Sequence, residues 1–172
     1  ICLELYTQRG TLREIFRKET PMNTYKTIIA AIDLSPDSQN VLNKAKGIAE
    51  ATGASLHLVH IVECLNLNYG GDIPLDFSDI QLEMQNQAKI KLAQIGGDAA
   101  IPALNQHLLV GRPESQINEL AEEIKANLIV VGSHPRRGLS LLFGSTADGV
   151  VHNAECDVLA VRTRKSDGEK DD

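Results

Sequence analysis

The sequence predicts an open α/β sandwich, with a five-stranded parallel sheet covered by helices on both faces. Three observations carry this. Short apolar runs alternate with longer amphipathic stretches along 22–162, the order that right-handed strand–helix–strand crossovers need. Two of the runs, at 25–33 and 128–132, are nearly continuously apolar; strands covered on both faces require this, so these two are placed centrally. Aromatic residues are 3% of the 172 residues and Trp is absent, which leaves the core to Val, Ile, Leu and Ala.

The elements follow in order. Strands are expected at 25–33 (YKTIIAAID), 55–63 (SLHLVHIVE), 104–111 (LNQHLLVG), 128–132 (LIVVG) and 156–162 (CDVLAVR). The first helix is expected to use Ser35 as N-cap and Pro36 at its first position, to bury Val41, Leu42, Ala45, Ile48 and Ala49, and to stop at Gly53. Ile80, Met84, Ala88, Leu92 and Ile95 mark a second helical stripe, ended by Gly96-Gly97. A third runs through Ile117, Leu120, Ala121 and Ile124 after Gly111-Arg112-Pro113, and a short fourth, 145–152, includes Val150 and Val151. These stripes are read as core packing. The connection at 64–76 exceeds the usual loop length, and such loops tend to be functional or mobile.

One domain is expected, at 22–162, between an N-terminal stretch and a polar tail at 163–172 that should be mobile. Residues 1–21 carry four basic and three acidic side chains. They are read as an upstream extension or an artefact of how the sequence begins, the alternative being an appended helix using Leu12, Ile15 and Phe16. A formal net charge of -6 argues against a dedicated nucleic-acid binder. No apolar run reaches the roughly 18 residues of a membrane span, and the N-terminal stretch has no secretory apolar segment. Cys2, Cys64 and Cys156 are too few and too far apart for a disulfide framework or a zinc ribbon, which favours a reduced, cytoplasmic setting.

In an open parallel sheet the ligand crevice lies beyond the carboxyl ends of the strands, where strand order reverses. Two loops leave the central strands: Asp33-Leu34-Ser35-Pro36-Asp37-Ser38 and the stretch from Gly132 to Thr146. The second has the physics of an anion site. Gly132 and Gly144 permit close backbone approach, Ser145 and Thr146 open a helix whose N–H groups favour a phosphate, and His134, Arg136 and Arg137 add positive charge. The same residues also read as plain turn glycines, a helix cap and solvated cations. Asp33 likewise reads two ways, as a ligand for a ribose hydroxyl or an adenine, or as a cap for the helix that follows.

The segments YKTIIAAIDLSPDSQNVLNKA, LHLVHIVE, VGRPESQINELAEEIKANLIVVGSH and FGSTADGVVHNAECDVLAVR together resemble the universal stress protein family across nearly all of 22–162. The resemblance implies a Rossmann-like fold with strand order 3-2-1-4-5, a cytoplasmic homodimer serving stress regulation or protection and, in one branch, bound ATP or another adenine nucleotide. By match to the family, Asp33 would meet the adenine or ribose, and Ala31 and Ile61 would line the base pocket. Val131 and Gly132 would flank the ribose and phosphates, which Gly144, Ser145 and Thr146 would hold. The branch's glycine pattern is degraded here. Pro135 stands where its second Gly belongs, removing an N–H donor and fixing φ near about −65°, and the gap to Gly144 is eight residues where the pattern has nine. Gly138, with Arg136 and Arg137 alongside, would compensate through a shifted loop. A second branch dimerises without binding nucleotide; the LSPDS turn is similar to that branch, whereas the GST at 144–146 is not.

In the implied strand order the last strand is a sheet edge, and its Val158, Leu159, Ala160 and Val161 make an apolar surface suited to pairing with a second copy. Regulatory protein partners are expected but not identified. There is no nucleophile elbow, Ser-His-Asp order or paired-carboxylate motif, so no enzyme is expected beyond slow incidental ATP hydrolysis. His57 and His60, three apart on a strand, point to opposite faces, and His107 and His152 stand alone, so no metal is expected apart from Mg2+ accompanying a nucleotide. Cys64, at the mouth of the second strand, reads as a buried inert thiol, with a reactive thiol as the alternative.

Overall fold

The computed structural model describes residues 25–64, 78–133 and 144–163. Along them run β1 (Thr27–Ala31), α1 (Ser38–Thr52), β2 (Ser55–Val62), α2 (Ser78–Asp98), β3 (Gln106–Val110), α3 (Pro113–Glu123), β4 (Leu128–Ser133), α4 (Ser145–Asn153) and β5 (Asp157–Arg162). The strands form one parallel sheet in the order β3-β2-β1-β4-β5, as the resemblance implies. β1 is central, with Ile29 in register with His57 of β2 and Ile129 of β4. Its first turn is pinned by Asn127, whose Oδ1 accepts the N–H groups of Lys26 (2.9 Å) and Thr27 (3.1 Å).

Alternation along the strands sends successive side chains to two cores. Ile28, Ala30, Leu58 and Val130 pack with Val41, Leu42 and Ala45 of α1 and with Ala88 and Leu92 of α2. Ile29, Val59, Ile129 and Val131 pack with Ile117, Leu120 and Ala121 of α3 and with Ala147 and Val150 of α4. The aliphatic composition thus builds the double-sided core expected of it.

Four helix details differ from expectation. α1 begins at Ser38: residues 35–40 are joined by bonds of the tighter three-residue kind, from Ser38 N–H to Ser35 O (3.1 Å), Gln39 N–H to Pro36 O (3.3 Å) and Asn40 N–H to Asp37 O (3.1 Å). Among the described residues the Ser35 hydroxyl has no hydrogen-bond partner, and the N-cap is Asp37, so Ser35 is not a side-chain cap.

α2 runs through Gly96-Gly97 instead of stopping there. Ala100 takes the left-handed conformation (φ 58°), and Ile101 N–H closes back on Gly96 O at 2.8 Å. Gly96 serves packing: a Cβ there would lie 2.4 Å from the side-chain amide of Gln106.

Ile80 and Met84 are 52% and 40% exposed, and the inner face of α2 runs through Gln81, Gln85, Ala88 and Leu92. A helix of 21 residues is about 31 Å long, whereas the five residues of β3 span about 17 Å, so the first turns of α2 overhang the sheet. On α4, Val150 is fully buried but Val151 is 44% exposed.

At the other end Thr163, placed in the tail by sequence, is 1% exposed, and its N–H meets Ser133 O at 3.1 Å, continuing the β4–β5 pairing by one residue. Residues 1–24 and 164–172 and the long connection at 65–77 lie outside the described residues.

Candidate functional site

The strand order reverses between β1 and β4, and a cavity of about 300 Å³ opens at their carboxyl ends. Of the sequence-predicted residues, Ala31, Asp33, Ile61, Val131, Gly132 and Thr146 line it together. Gly144 and Ser145 begin α4 next to Thr146 without lining the cavity. His134, Arg136 and Arg137, with Pro135, lie outside the described residues. At Gly132 an added Cβ would meet Val41 at 3.4 Å and Thr163 at 3.7 Å, ordinary contacts, so the protein's own packing does not force glycine there.

The walls that sequence reading missed are Ile32, Ser38, Val41, His60, Glu63, Pro113, Ile117 and Thr163. Ser38 and Val41 come from the first turn of α1, and Pro113 and Ile117 from that of α3. Both helices start at the carboxyl edge of the sheet, so their first turns were the available signal. Thr163 is there because β5 stays in register past Ser133.

Asp33 bonds within its own loop without capping α1, whose N-cap is Asp37 with no side-chain cap hydrogen bond. Asp33 Oδ1 accepts the N–H of Ser35 at 3.0 Å and a short hydrogen bond from the Ser38 hydroxyl, and Ser38 Oγ in turn accepts the N–H of Asp33 at 3.2 Å. Between them Leu34 is buried with φ 60°, a region a branched aliphatic residue occupies only under constraint. The carboxylate network supplies that constraint. Replacing Asp33 with Ala is expected to cost about 1–2 kcal/mol in urea denaturation, because the buried Ser38 hydroxyl loses its partner together with the loop N–H. A loss below a few tenths would show that the network does not hold the turn.

His60 on β2 donates from Nδ1 to the carbonyl of Ile32 at 2.9 Å, tying β2 to the residue just past β1. Sequence reading weighed it only as a metal ligand. His107 does not stand alone as expected: its Nε2 is 3.0 Å from Nδ1 of His57, with the rings 18° from parallel. The β2–β3 register places Val59 opposite His107, so His57 and His107 share a face. His152 also has partners within its own helix, the carbonyl of Asp148 at 2.9 Å and the Asp148 carboxylate at 3.7 Å. Among the described residues no three His, Cys, Asp or Glu side chains cluster as a metal site. Cys64 is exposed, against the expectation of burial, and Cys156 is half-buried, its thiol pushed above the usual value by burial and then by Asp157. Among the described residues no helix is long and apolar enough to cross a membrane.

The His57–His107 pair has a pH consequence. Burial, and then the charge of His107, lower the pKa of His57; burial lowers that of His107, with Glu123 opposing. The unfolded chain therefore takes up protons first as pH falls below about 6.5. The pair's contribution is complete above that value and is lost as pH falls through the lowered folded-state values. Unfolding free energy measured from pH 7.5 to 5 should fall with acidification, and His57→Asn should flatten the slope; an unchanged slope would remove the pair from the account.

Fold and crevice together define a class, the open doubly wound α/β proteins with a ligand crevice where the strand order reverses. Within that class the chain belongs to the universal stress protein family, whose sequence model matches residues 24–162. It is 39% identical over 138 residues to universal stress protein A homolog 1 of Coxiella burnetii, covering 80% of this chain and 96% of the relative. With homolog 2 of the same organism it shares 40% identity over 149 residues, covering 84% and 100%. A crystal structure of a universal stress protein in complex with cAMP is 25% identical, with a TM-score of 0.59, over 81% of this chain and 98% of that one.

Proposed function

We propose that this universal stress protein is a regulatory or protective homodimer that binds an adenine nucleotide, ATP or AMP, in the crevice between β1 and β4. The observation that carries the reading is the cavity itself. It has apolar walls from Ala31, Ile61 and Val131 suited to the faces of a base, and Thr146 in the first turn of α4, where unpaired N–H groups favour a phosphate. The solved relative in complex with cAMP supports an adenine nucleotide as the ligand class. The loop bearing His134, Arg136 and Arg137 would add phosphate charge, and any Mg2+ would arrive with the nucleotide. The pairing surface in this reading is the outer edge of β5, the setting is cytoplasmic, and the protein performs no dedicated catalysis.

A second reading, a nucleotide-free homodimeric interaction module, is favoured by one observation: Asp33 already spends an oxygen on Ser35 and Ser38. Mass spectrometry of small molecules released on denaturing the purified protein separates the two. A stoichiometric adenine nucleotide is expected; its absence, together with failure to take one up from solution, leaves the interaction module.

A further inference from the structure

The amino-terminal end of the sheet holds a polar cluster that the nucleotide reading does not use, about 13 Å along β2 from the crevice wall at Ile61. His57 of β2 and His107 of the edge strand β3 lie 50 residues apart in sequence, yet His57 Nδ1 and His107 Nε2 are 3.0 Å apart. Both rings are half-buried, so solvent reaches them. Two imidazole nitrogens bound to one divalent ion at about 2.0–2.1 Å lie about 2.9 Å apart at a right angle and about 3.3 Å apart at the tetrahedral angle. The observed separation falls inside that range. The two nitrogens now face each other across a shared proton, and tilting the rings outward aims both lone pairs at one ion.

We propose that His57 Nδ1 and His107 Nε2 chelate a divalent transition-metal ion of the imidazole-preferring group, Zn2+, Ni2+ or Cu2+. Among the described residues no third His, Cys, Asp or Glu joins the pair, so water completes the coordination. The neutral pair carries two N–H protons. Chelation moves the shared one to the other nitrogen of its own ring and releases none, leaving the protons on His57 Nε2 and His107 Nδ1.

The surroundings suit that state. Ser55 Oγ stands 3.4 Å from His57 Nε2, placed to accept the proton there. Asn105 holds Ser55 in position, its Nδ2 donating to Ser55 Oγ and to the Leu56 carbonyl, each at 3.1 Å. A partner of this kind on the outer nitrogen is what fixes the ring of a metal-ligating histidine. Burial lowers the pKa of both rings, which keeps them neutral and able to bind metal at pH 7. Glu123, at the end of α3, acts on His107 through its charge and adds a negative field favourable to a cation.

The test is calorimetric titration of Zn2+ into metal-stripped, nucleotide-free protein at pH 7.5, using wild type, His57→Asn, His107→Asn, Ser55→Ala and His152→Asn. Wild type is expected to bind one Zn2+ per chain. Either variant of the pair should weaken binding at least about hundredfold, because the second imidazole binds as an intramolecular ligand. Ser55→Ala should cost about tenfold through the lost outer partner, and His152→Asn, on a separate helix, should change nothing. Circular dichroism checks that each variant is folded. Pulsed electron paramagnetic resonance of wild type with one Cu2+ per chain counts the coordinated imidazoles without any variant, and two are expected. No zinc binding by wild type, unchanged affinity in a folded His57→Asn or His107→Asn, or a single coordinated imidazole would each overturn the proposal. None of these results bears on the nucleotide crevice at the opposite end of the sheet.

Discussion

Gly144→Asp should abolish nucleotide binding while leaving the fold intact or slightly more stable. Gly144 precedes α4 with φ −55° and ψ 155°, a conformation open to any L-residue, and no side chain caps the helix there. Aspartate is among the best residues at such a position and improves on glycine by a few tenths of a kcal/mol. The same carboxylate would occupy the N-terminus that the account assigns to phosphate. Like charges about 4 Å apart repel by about 4 kcal/mol at the effective dielectric of a protein surface, so affinity should drop by at least about hundredfold. Thermal melting alongside calorimetry checks both halves. Unchanged affinity in a folded variant would remove α4 from the ligand site.

Leu159→Asp should convert the proposed dimer to monomers. β5 pairs with β4 on one side, and among the described residues no strand pairs with its other side. Leu159 is 37% exposed, while Val158, Ala160 and Val161 are half-buried along the same strand. An apolar edge of this kind presents unpaired backbone groups and is a ready site for a second copy, and a charge there is what blunts such edges in natural sheets. Analytical ultracentrifugation of wild type and variant at equal concentration should give a dimer and a monomer. Two dimers would place the contact elsewhere, and two monomers would remove the dimer from the account.

The fold was legible where periodicity reflects burial directly. All five strands overlap their expected ranges, and α3 starts at Pro113 as the Gly111-Arg112-Pro113 signal indicates, with Gly111 at φ 143° where a side chain would be strained. What was not legible depended on tertiary partners. Nothing local in Gly96-Gly97 says that one glycine lies against the side-chain amide of Gln106 and that an alanine two residues beyond the helix will take the left-handed turn. Nor does the stripe from Ile80 reveal that the sheet ends before the helix does.

The site divides in the same way. Ala31, Ile61 and Val131 came only from the resemblance to the family, whereas Asp33 was also marked by its place at the end of a central apolar strand. His60 was hidden because its bond to the Ile32 carbonyl joins residues 28 apart in sequence, which no local pattern reveals. Thr163 was hidden because a polar residue after a strand reads as the start of a tail.

The most direct test of the central claim is calorimetric titration of the wild-type protein with ATP and with AMP, repeated on Gly144→Asp. The account predicts a saturable heat with one site per chain for at least one of the two ligands, lost in the variant. No heat from either at millimolar concentration, with the protein folded and free of carried-over ligand, would contradict it.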